Sequence, residues 1–331
     1  MRNSIKKNSG RMKFKFSAGY VVFNKNLKKF LFLRNPKGWL DFPKGEIEKT
    51  ENAKEAALRE LEEETGLKKE DISIDPFFSY SIKYFFYDEN KQMVAKIVKI
   101  FLCETEKEEI KVSQEHVGYT WLSYEEAMQN LSFPTTKKVV EVAFNYLNKK
   151  QKIEELNKEY EEKIKKEIEE KKLKLSKNFV PGEGNLNARI FIVGQAPGEE
   201  EDKQKRPFVG KAGKLLDEVL KKNKIKREEC YITSVVQFFP FENRVPEDFE
   251  IQMCLPFLKK QIEIVKPEII VLLGNVAAKA FGFSLKDRGF HSTSEGKFFV
   301  TYHPAAALRG NKEAKQALIE DFKKIKELLG P

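Results

Sequence analysis

Hydrophobic positions along the chain follow two different rhythms. Toward the N-terminus, apolar runs at Phe16–Phe23 and Phe30–Leu33 flank Asn24-Lys25-Asn26, the pattern of a β-hairpin. Asn52–Thr65 has helical spacing and stops at Gly66, a helix terminator. Further strands are expected at Phe77–Tyr87, Val94–Leu102 and Tyr119–Leu122, so this part predicts a mixed sheet with helices. From Thr136 to Lys174 no Gly or Pro interrupts the chain, and its later part carries a narrow apolar stripe, Ile153, Leu156, Tyr160, Ile164 and Ile168, at spacings of three and four. That predicts a helix of roughly 55–60 Å.

Beyond Asn178 the rhythm becomes strand, loop, helix. Apolar runs at Ile190–Val193, Tyr231–Val236, Ile269–Leu273 and Phe298–Tyr302 are separated by helical stretches near Lys211–Lys222, Asp248–Val265 and Lys312–Leu329. Strands alternating with helices argue for a parallel sheet covered on both faces, with its ligand crevice at the carboxyl ends of the strands. Gly194–Gly198, Phe239–Pro246 and His303–Arg309 sit at those ends.

Composition narrows the class. The chain has 331 residues, 40% hydrophobic and 34% charged. Two domains fit that length, and no apolar run is long enough to span a bilayer. The expected boundaries are 1–148 and 178–331, joined by a charged helical linker over 149–177 that holds 19 charged residues. This linker reads as a solvated spacer docked at its ends, with a short coiled coil that pairs two chains as the alternative. Three cysteines, Cys103, Cys230 and Cys254, show no C-x-x-C spacing, which excludes a disulfide scaffold and a cysteine zinc site. With no apolar stretch of signal-peptide length near the start, a cytoplasmic location is expected. The formal net charge is +10, of which +2 lies in 1–148, +3 in 149–177 and +5 in 178–331, so a polyanion partner fits the C-terminal half best.

Two constellations carry chemistry. Residues 45–67 place Glu60, Glu63 and Glu64 at i, i+3 and i+4 on one helix, three carboxylates whose mutual repulsion a hard divalent cation would remove. The segment matches Gly-x5-Glu-x7-Arg-Glu-U-x-Glu-Glu-x-Gly-U, U being apolar, and resembles the Nudix box. The resemblance covers about residues 12–148 and implies an α/β/α sandwich that hydrolyses nucleoside polyphosphates. By it, Gly45, Glu60, Glu63 and Glu64 hold Mg²⁺ or Mn²⁺ and Arg59 orients the carboxylates. Gly38-Trp39, Phe42-Pro43-Lys44-Gly45, Ser113-Gln114-Glu115-His116 and Tyr119-Thr120-Trp121-Leu122 resemble the diadenosine tetraphosphate hydrolases within that group. That likeness implies Lys96 as a phosphate contact and Glu115 as an aid to the attacking water.

The second constellation is Val193 to Asp202 with Pro207-Phe208-Val209-Gly210-Lys211-Ala212-Gly213, Tyr231 to Val236, Asn243-Arg244-Val245-Pro246 and Tyr302 to Arg309. Together these resemble family 4 uracil-DNA glycosylases over residues 186–328, which implies a three-layer α/β/α domain that excises uracil or a related base from single- or double-stranded DNA. The resemblance implies that Phe208 stacks on the flipped base, that His303 stabilises the anionic leaving group, and that backbone amides at Gly194, Gln195 and Ala196 bind it. Glu201 would position water or stabilise the sugar cation, and Leu308 and Arg309 would enter the minor groove. Three departures stand out. Gln195 replaces a usual Glu, and Ser234 replaces a usual base-reading Asn. Of the family's four iron-sulfur ligands only Cys254 remains, with Phe238 at another ligand position, so no cluster is expected. The leading expectation is a fusion of two active enzymes. The alternative is an active Nudix hydrolase joined to a catalytically degenerate, DNA-binding glycosylase fold.

Overall fold

The N-terminal apolar alternation is realised as a sheet. The computed structural model describes residues 13–308 and 310–330, and the chain divides into two units, Met1–Leu147 and Asn148–Pro331. In the first unit, strands β1 (Lys13–Asn24), β2 (Lys29–Arg34), β3 (Leu40–Asp41) and β4 (Lys44–Glu46) lead into helix α1 (Ala53–Thr65). Strands β5 (Ile72–Tyr87), β6 (Met93–Thr105) and β7 (Gly118–Leu122) follow, then helices α2 (Tyr124–Asn130) and α3 (Pro134–Glu170). The sheet runs β3-β2-β1-β6-β5, with β4 paired to β1 and β7 to β2. It is mixed as expected, since β1 and β6 are parallel over their length while the other pairings are antiparallel.

Local chemistry sets both ends of α1. Asn52 Oδ1 accepts the N–H groups of Lys54 and Glu55, and Glu55 returns a bond to the Asn52 N–H. Gly66 closes the helix at φ 70°, a left-handed conformation that a Cβ would disfavour. Ala56, Ala57 and Leu61 bury one face of α1 against Ala18, Tyr20, Val22, Phe101 and Cys103. Glu60 and Glu64 flank this packed face and reach the β4 backbone, the Glu64 carbonyl accepts the Ser113 N–H of the loop before β7, and Glu63 is exposed.

The expected spacer is corrected. The helix ends at Glu170, and a strand, β8 (Leu175–Phe179), begins within the stretch expected to be a linker. The stripe is not solvated: Ile153, Leu156, Tyr160, Ile164 and Ile168 are all buried. Tyr160 stacks on Phe257 at 4.3 Å and meets Phe179 and Phe238 edge-on. Lys149 donates to the carbonyls of Leu186 and Val265. The charged residues cover the outer face while five large apolar side chains find their partner within the second unit.

That unit continues with β9 (Glu183–Gly184), β10 (Ile190–Gly194), α4 (Glu199–Gln204), α5 (Lys211–Lys222), β11 (Cys230–Ser234), β12 (Phe238–Pro240), α6 (Asp248–Val265) and β13 (Ile269–Leu273). It closes with α7 (Gly274–Ala280), β14 (Gly289–Thr293), β15 (Gly296–Thr301), α8 (Pro304–Leu308) and α9 (Lys312–Leu329). The sheet order is β14-β15-β13-β10-β11-β9. Its four central strands are parallel, as expected, but both edge strands are antiparallel. Phe239 and Pro240, expected in the stretch Phe239–Pro246 at a strand end, belong to a further strand, β12, which pairs with β8 in a separate two-stranded sheet. Among the described residues no helix is long and apolar enough to cross a membrane.

Candidate functional site

In the first unit the candidate residues gather along the edge of α1 that faces β4, from the buried Glu64 to the exposed Glu63. The Arg59 guanidinium donates to Glu60 Oε1 at 2.8 Å and Glu63 Oε2 at 3.0 Å, and is itself held by Glu51 and the Glu46 carbonyl. Arg59 thus orients both carboxylates. A Cβ on Gly45 would stand 1.9 Å from Glu60 Oε1, so a methyl there would push this carboxylate away from the β4 backbone. Glu64 is buried and accepts the Lys44 N–H at 3.0 Å. Burial pushes its carboxyl up to about 8, with the neighbouring Glu60 and Glu115 adding to the rise.

Two basic groups face this region. Lys96 is half-buried on β6; burial lowers its ammonium, with the nearby Lys44 adding to the fall, and Asp41 and Glu46 also act on it. Lys44 Nζ in turn bonds Asp41 Oδ2 at 2.6 Å. Glu115 is exposed, and the adjacent His116 approaches Glu64 Oε1 at 3.9 Å. Sequence reasoning passed over Lys44, His116 and Tyr84, which is the Cα partner of Lys96 across the sheet. Only the strand register reveals Tyr84. Lys44 and His116 stand in Phe42-Pro43-Lys44-Gly45 and Ser113-Gln114-Glu115-His116, where sequence alone gives them no role. Trp39 lies edge-to-face with Phe133 at 5.4 Å, a packing role.

Among the described residues no three His, Cys, Asp or Glu side chains form a ready-made metal cage, and Arg59 occupies Glu60 and Glu63. The donor set nevertheless suits a hard cation: three carboxylates and a carbonyl, all oxygen, with a Cβ-free space beside Glu60 and a buried Glu64 carboxylate beside them.

The second unit gathers residues that are far apart in sequence. A cavity of about 680 Å³ is lined by Gln195 and Ala196 after β10, Phe208 before α5, Ser234 at the end of β11, and His303 and Leu308 beyond β15, with Glu201 of α4 at its wall. Gly194 lies beneath it: a Cβ there would fall 2.5 Å from Phe208 Cζ. The Phe208 and His303 rings are 5.8 Å apart. His303 Nδ1 accepts the Ala305 N–H at 3.2 Å, so the neutral tautomer that fits this bond carries its proton on Nε2. Gly274, at φ 84°, lets His303 approach, since a Cβ there would be 2.8 Å from the His303 Cβ. The Gly194 and Gln195 carbonyls accept the Val235 and Val236 N–H groups, which ties the first loop to the end of β11. Leu308 is half exposed at the end of α8, and Arg309 lies outside the described residues.

Glu201 is held against the backbone at the cavity wall. Its carboxylate accepts three backbone N–H groups, from Gly198 at 3.1 Å, Val209 at 2.9 Å and Gly210 at 2.7 Å. Sequence reasoning missed Arg227, which reaches the Pro207 and Phe208 carbonyls from the loop before β11.

Comparison with known proteins follows the same division. Residues 13–142 match the NUDIX domain and residues 181–325 the uracil DNA glycosylase superfamily. The chain is 47% identical over 186 residues to a type-4 uracil-DNA glycosylase of Sulfurisphaera tokodaii, covering 50% of this chain and 84% of that one. It is 43% identical to one from Saccharolobus solfataricus, covering 47% and 78%. A Mus musculus asymmetrical bis(5'-nucleosyl)-tetraphosphatase is 30% identical over 142 residues, covering 40% of this chain and 94% of that one.

The four-cysteine cluster implied for the glycosylase half does not fit the residues present. Cys254 is buried, its thiol is pushed up to about 12 by burial, and it is bonded to the Tyr160 hydroxyl inside a box of aromatic rings. All three cysteines are free.

Proposed function

Because the first unit belongs to the Nudix family and the second to the type-4 uracil-DNA glycosylases, we propose that this hydrolase cleaves phosphoanhydride bonds of nucleoside polyphosphates at one site and excises uracil or a related base from DNA at the other. The observation that carries this reading is that each motif converges in three dimensions: three carboxylates and two lysines around α1, and Phe208, His303, Ser234 and Gln195 in one cavity.

At the first site Mg²⁺ or Mn²⁺, held by Glu60, Glu63, Glu64 and the Gly45 carbonyl, would neutralise the polyphosphate and lower the pKa of water. Arg59 fixes the direction of two of those carboxylates. Lys96 and Lys44 bind phosphate oxygens, and the exposed Glu115 accepts a proton from the attacking water. At the second site a base leaves the DNA stack and lies on Phe208. As the glycosidic bond breaks, negative charge grows on the base oxygen and the His303 Nε2–H donates to it. Ser234 offers the base edge one hydroxyl, and Gln195 offers hydrogen bonds without charge. Three free, buried cysteines agree with a reducing, cytoplasmic setting.

The test separates the halves. A uracil-containing oligonucleotide is incubated with the protein in EDTA, then treated with alkali. Breakage at uracil supports excision, because chelation silences the Nudix half. Folded protein that leaves both single- and double-stranded substrate intact overturns it and favours the second reading, a DNA-binding module with degenerate chemistry, to which Gln195 and Ser234 point. Phosphate products released from diadenosine tetraphosphate only when Mg²⁺ is added test the first half.

A further inference from the structure

Phe208 is the one large ring in the cavity floor that is held in a left-handed backbone conformation, at φ 53°. A residue with a Cβ adopts that region only where its surroundings impose it. Its ring lies close beneath Gly194, and its carbonyl is pressed by α5, where a Cβ on Gly213 would fall 1.8 Å from the Phe208 oxygen. Two charged side chains grip the backbone on either side. Arg227 donates to the Pro207 carbonyl at 2.6 Å and the Phe208 carbonyl at 3.3 Å. Glu201 accepts the Val209 and Gly210 N–H groups that follow. Arg227 is fixed in turn by Asp217 of α5 at 2.9 Å and by Glu183 of β9 at 3.4 Å.

We propose that Arg227 is a positioning residue for base excision, and that Arg227 and Glu201 form a clamp of opposite charges that holds Phe208 in its stacking pose. A cation takes the carbonyls before the strained residue and at it, an anion takes the amides after it, and neither side chain has to touch the base. The proposal rests on the glycosylase reading of this cavity. It assigns Glu201 to the backbone rather than to water or the sugar.

The test uses the full chain in EDTA, in saturating excess over a uracil-containing oligonucleotide, so that a single turnover is followed. Arg227→Ala is expected to slow excision about 100-fold, the scale of a displaced reacting group, while affinity for a uracil-free oligonucleotide stays unchanged. Arg227→Lys restores part of the rate, because lysine keeps the charge and a donor but not the two-pronged fork. Wild-type excision by Arg227→Ala, or a loss wholly explained by weaker DNA binding, overturns the proposal. Hydrogen exchange gives a readout independent of chemistry: the Val209 and Gly210 amides should lose protection in Arg227→Ala, and unchanged protection overturns the clamp. If the wild-type protein itself leaves uracil in place, the glycosylase reading has failed and the exchange result still decides the clamp. Should Arg227→Ala not fold, Arg227→Lys and Glu201→Gln carry the same two measurements, with loss of rate and protection expected in both.

Discussion

The two sites are built in opposite ways. The first draws its three carboxylates from one helix and a carbonyl from the strand just before it, residues 45–67, and adds only Lys96 and Glu115 from farther along the chain. The second takes single residues from the ends of β10, β11 and β15 and from the loop before α5, so its geometry exists only when the whole sheet is in register. A site of the first kind is fragile to loss of one charge. The second kind is also fragile to disturbance far from the cavity.

Tyr160→Ala tests that distinction at its most distant point. The ring stacks on Phe257 and touches Phe179 and Phe238, and emptying this box should destabilise the second unit by about 3–5 kcal/mol. Differential scanning calorimetry should show an earlier transition for that unit, with excision lost at temperatures where phosphate release continues. If both activities fall together, the sites are not independent in the way their construction implies. Glu63→Gln is the converse. It should lower Mg²⁺-dependent phosphate release about 10³-fold, equivalent to several kcal/mol of transition-state stabilisation, with folding and uracil excision in EDTA untouched. Wild-type turnover in this variant would mean that the metal helix has been misassigned.

Paired glycine substitutions give a smaller and more local contrast. Gly45→Ala drives a methyl into the Glu60 carboxylate, and Gly194→Ala drives one into the Phe208 ring. Each should reduce only its own reaction, by about 100-fold where a reacting group is displaced. The first loss should be partly recovered by raising Mg²⁺, since Gly45→Ala weakens a ligand without removing it. The second should not respond to metal. Recovery in both, or in neither, breaks the contrast.

How much could be read in advance follows the same divide. The Nudix motif and both ends of α1 are local, set by Asn52 and Gly66, and the central strands and the helices α5, α6 and α9 emerge where hydrophobic spacing puts them. Side chains that act through register were hidden: Tyr84 becomes a neighbour of Lys96 only when β5 pairs with β6. Arg227 looked like one basic residue among many, because bonds to carbonyls leave no motif. The later half of α3 was misread because its charged residues outnumber its apolar ones. Five large apolar side chains on one line require a partner, but spacing cannot say whether that partner is a second chain or the next unit.

The smallest predicted effect bears on that partner. Tyr160→Phe keeps the ring and its stacking on Phe257 at 4.3 Å, and removes only a hydroxyl that bonds Cys254 and accepts the Gln237 N–H at 3.4 Å. The second bond is long, and the phenylalanine regains some burial, so the expected loss is about 1 kcal/mol, measured as a shift in denaturant midpoint with no change in slope. Gln237 also bonds Gln261, which reaches Asn157 on α3, so this helix enters a buried polar network as well as an aromatic box. If Tyr160→Phe costs as much as Tyr160→Ala, that polar network rather than ring packing anchors α3. If it costs nothing, the aromatic box alone does so, and the hydroxyl beside Cys254 is incidental to the stability of the glycosylase half.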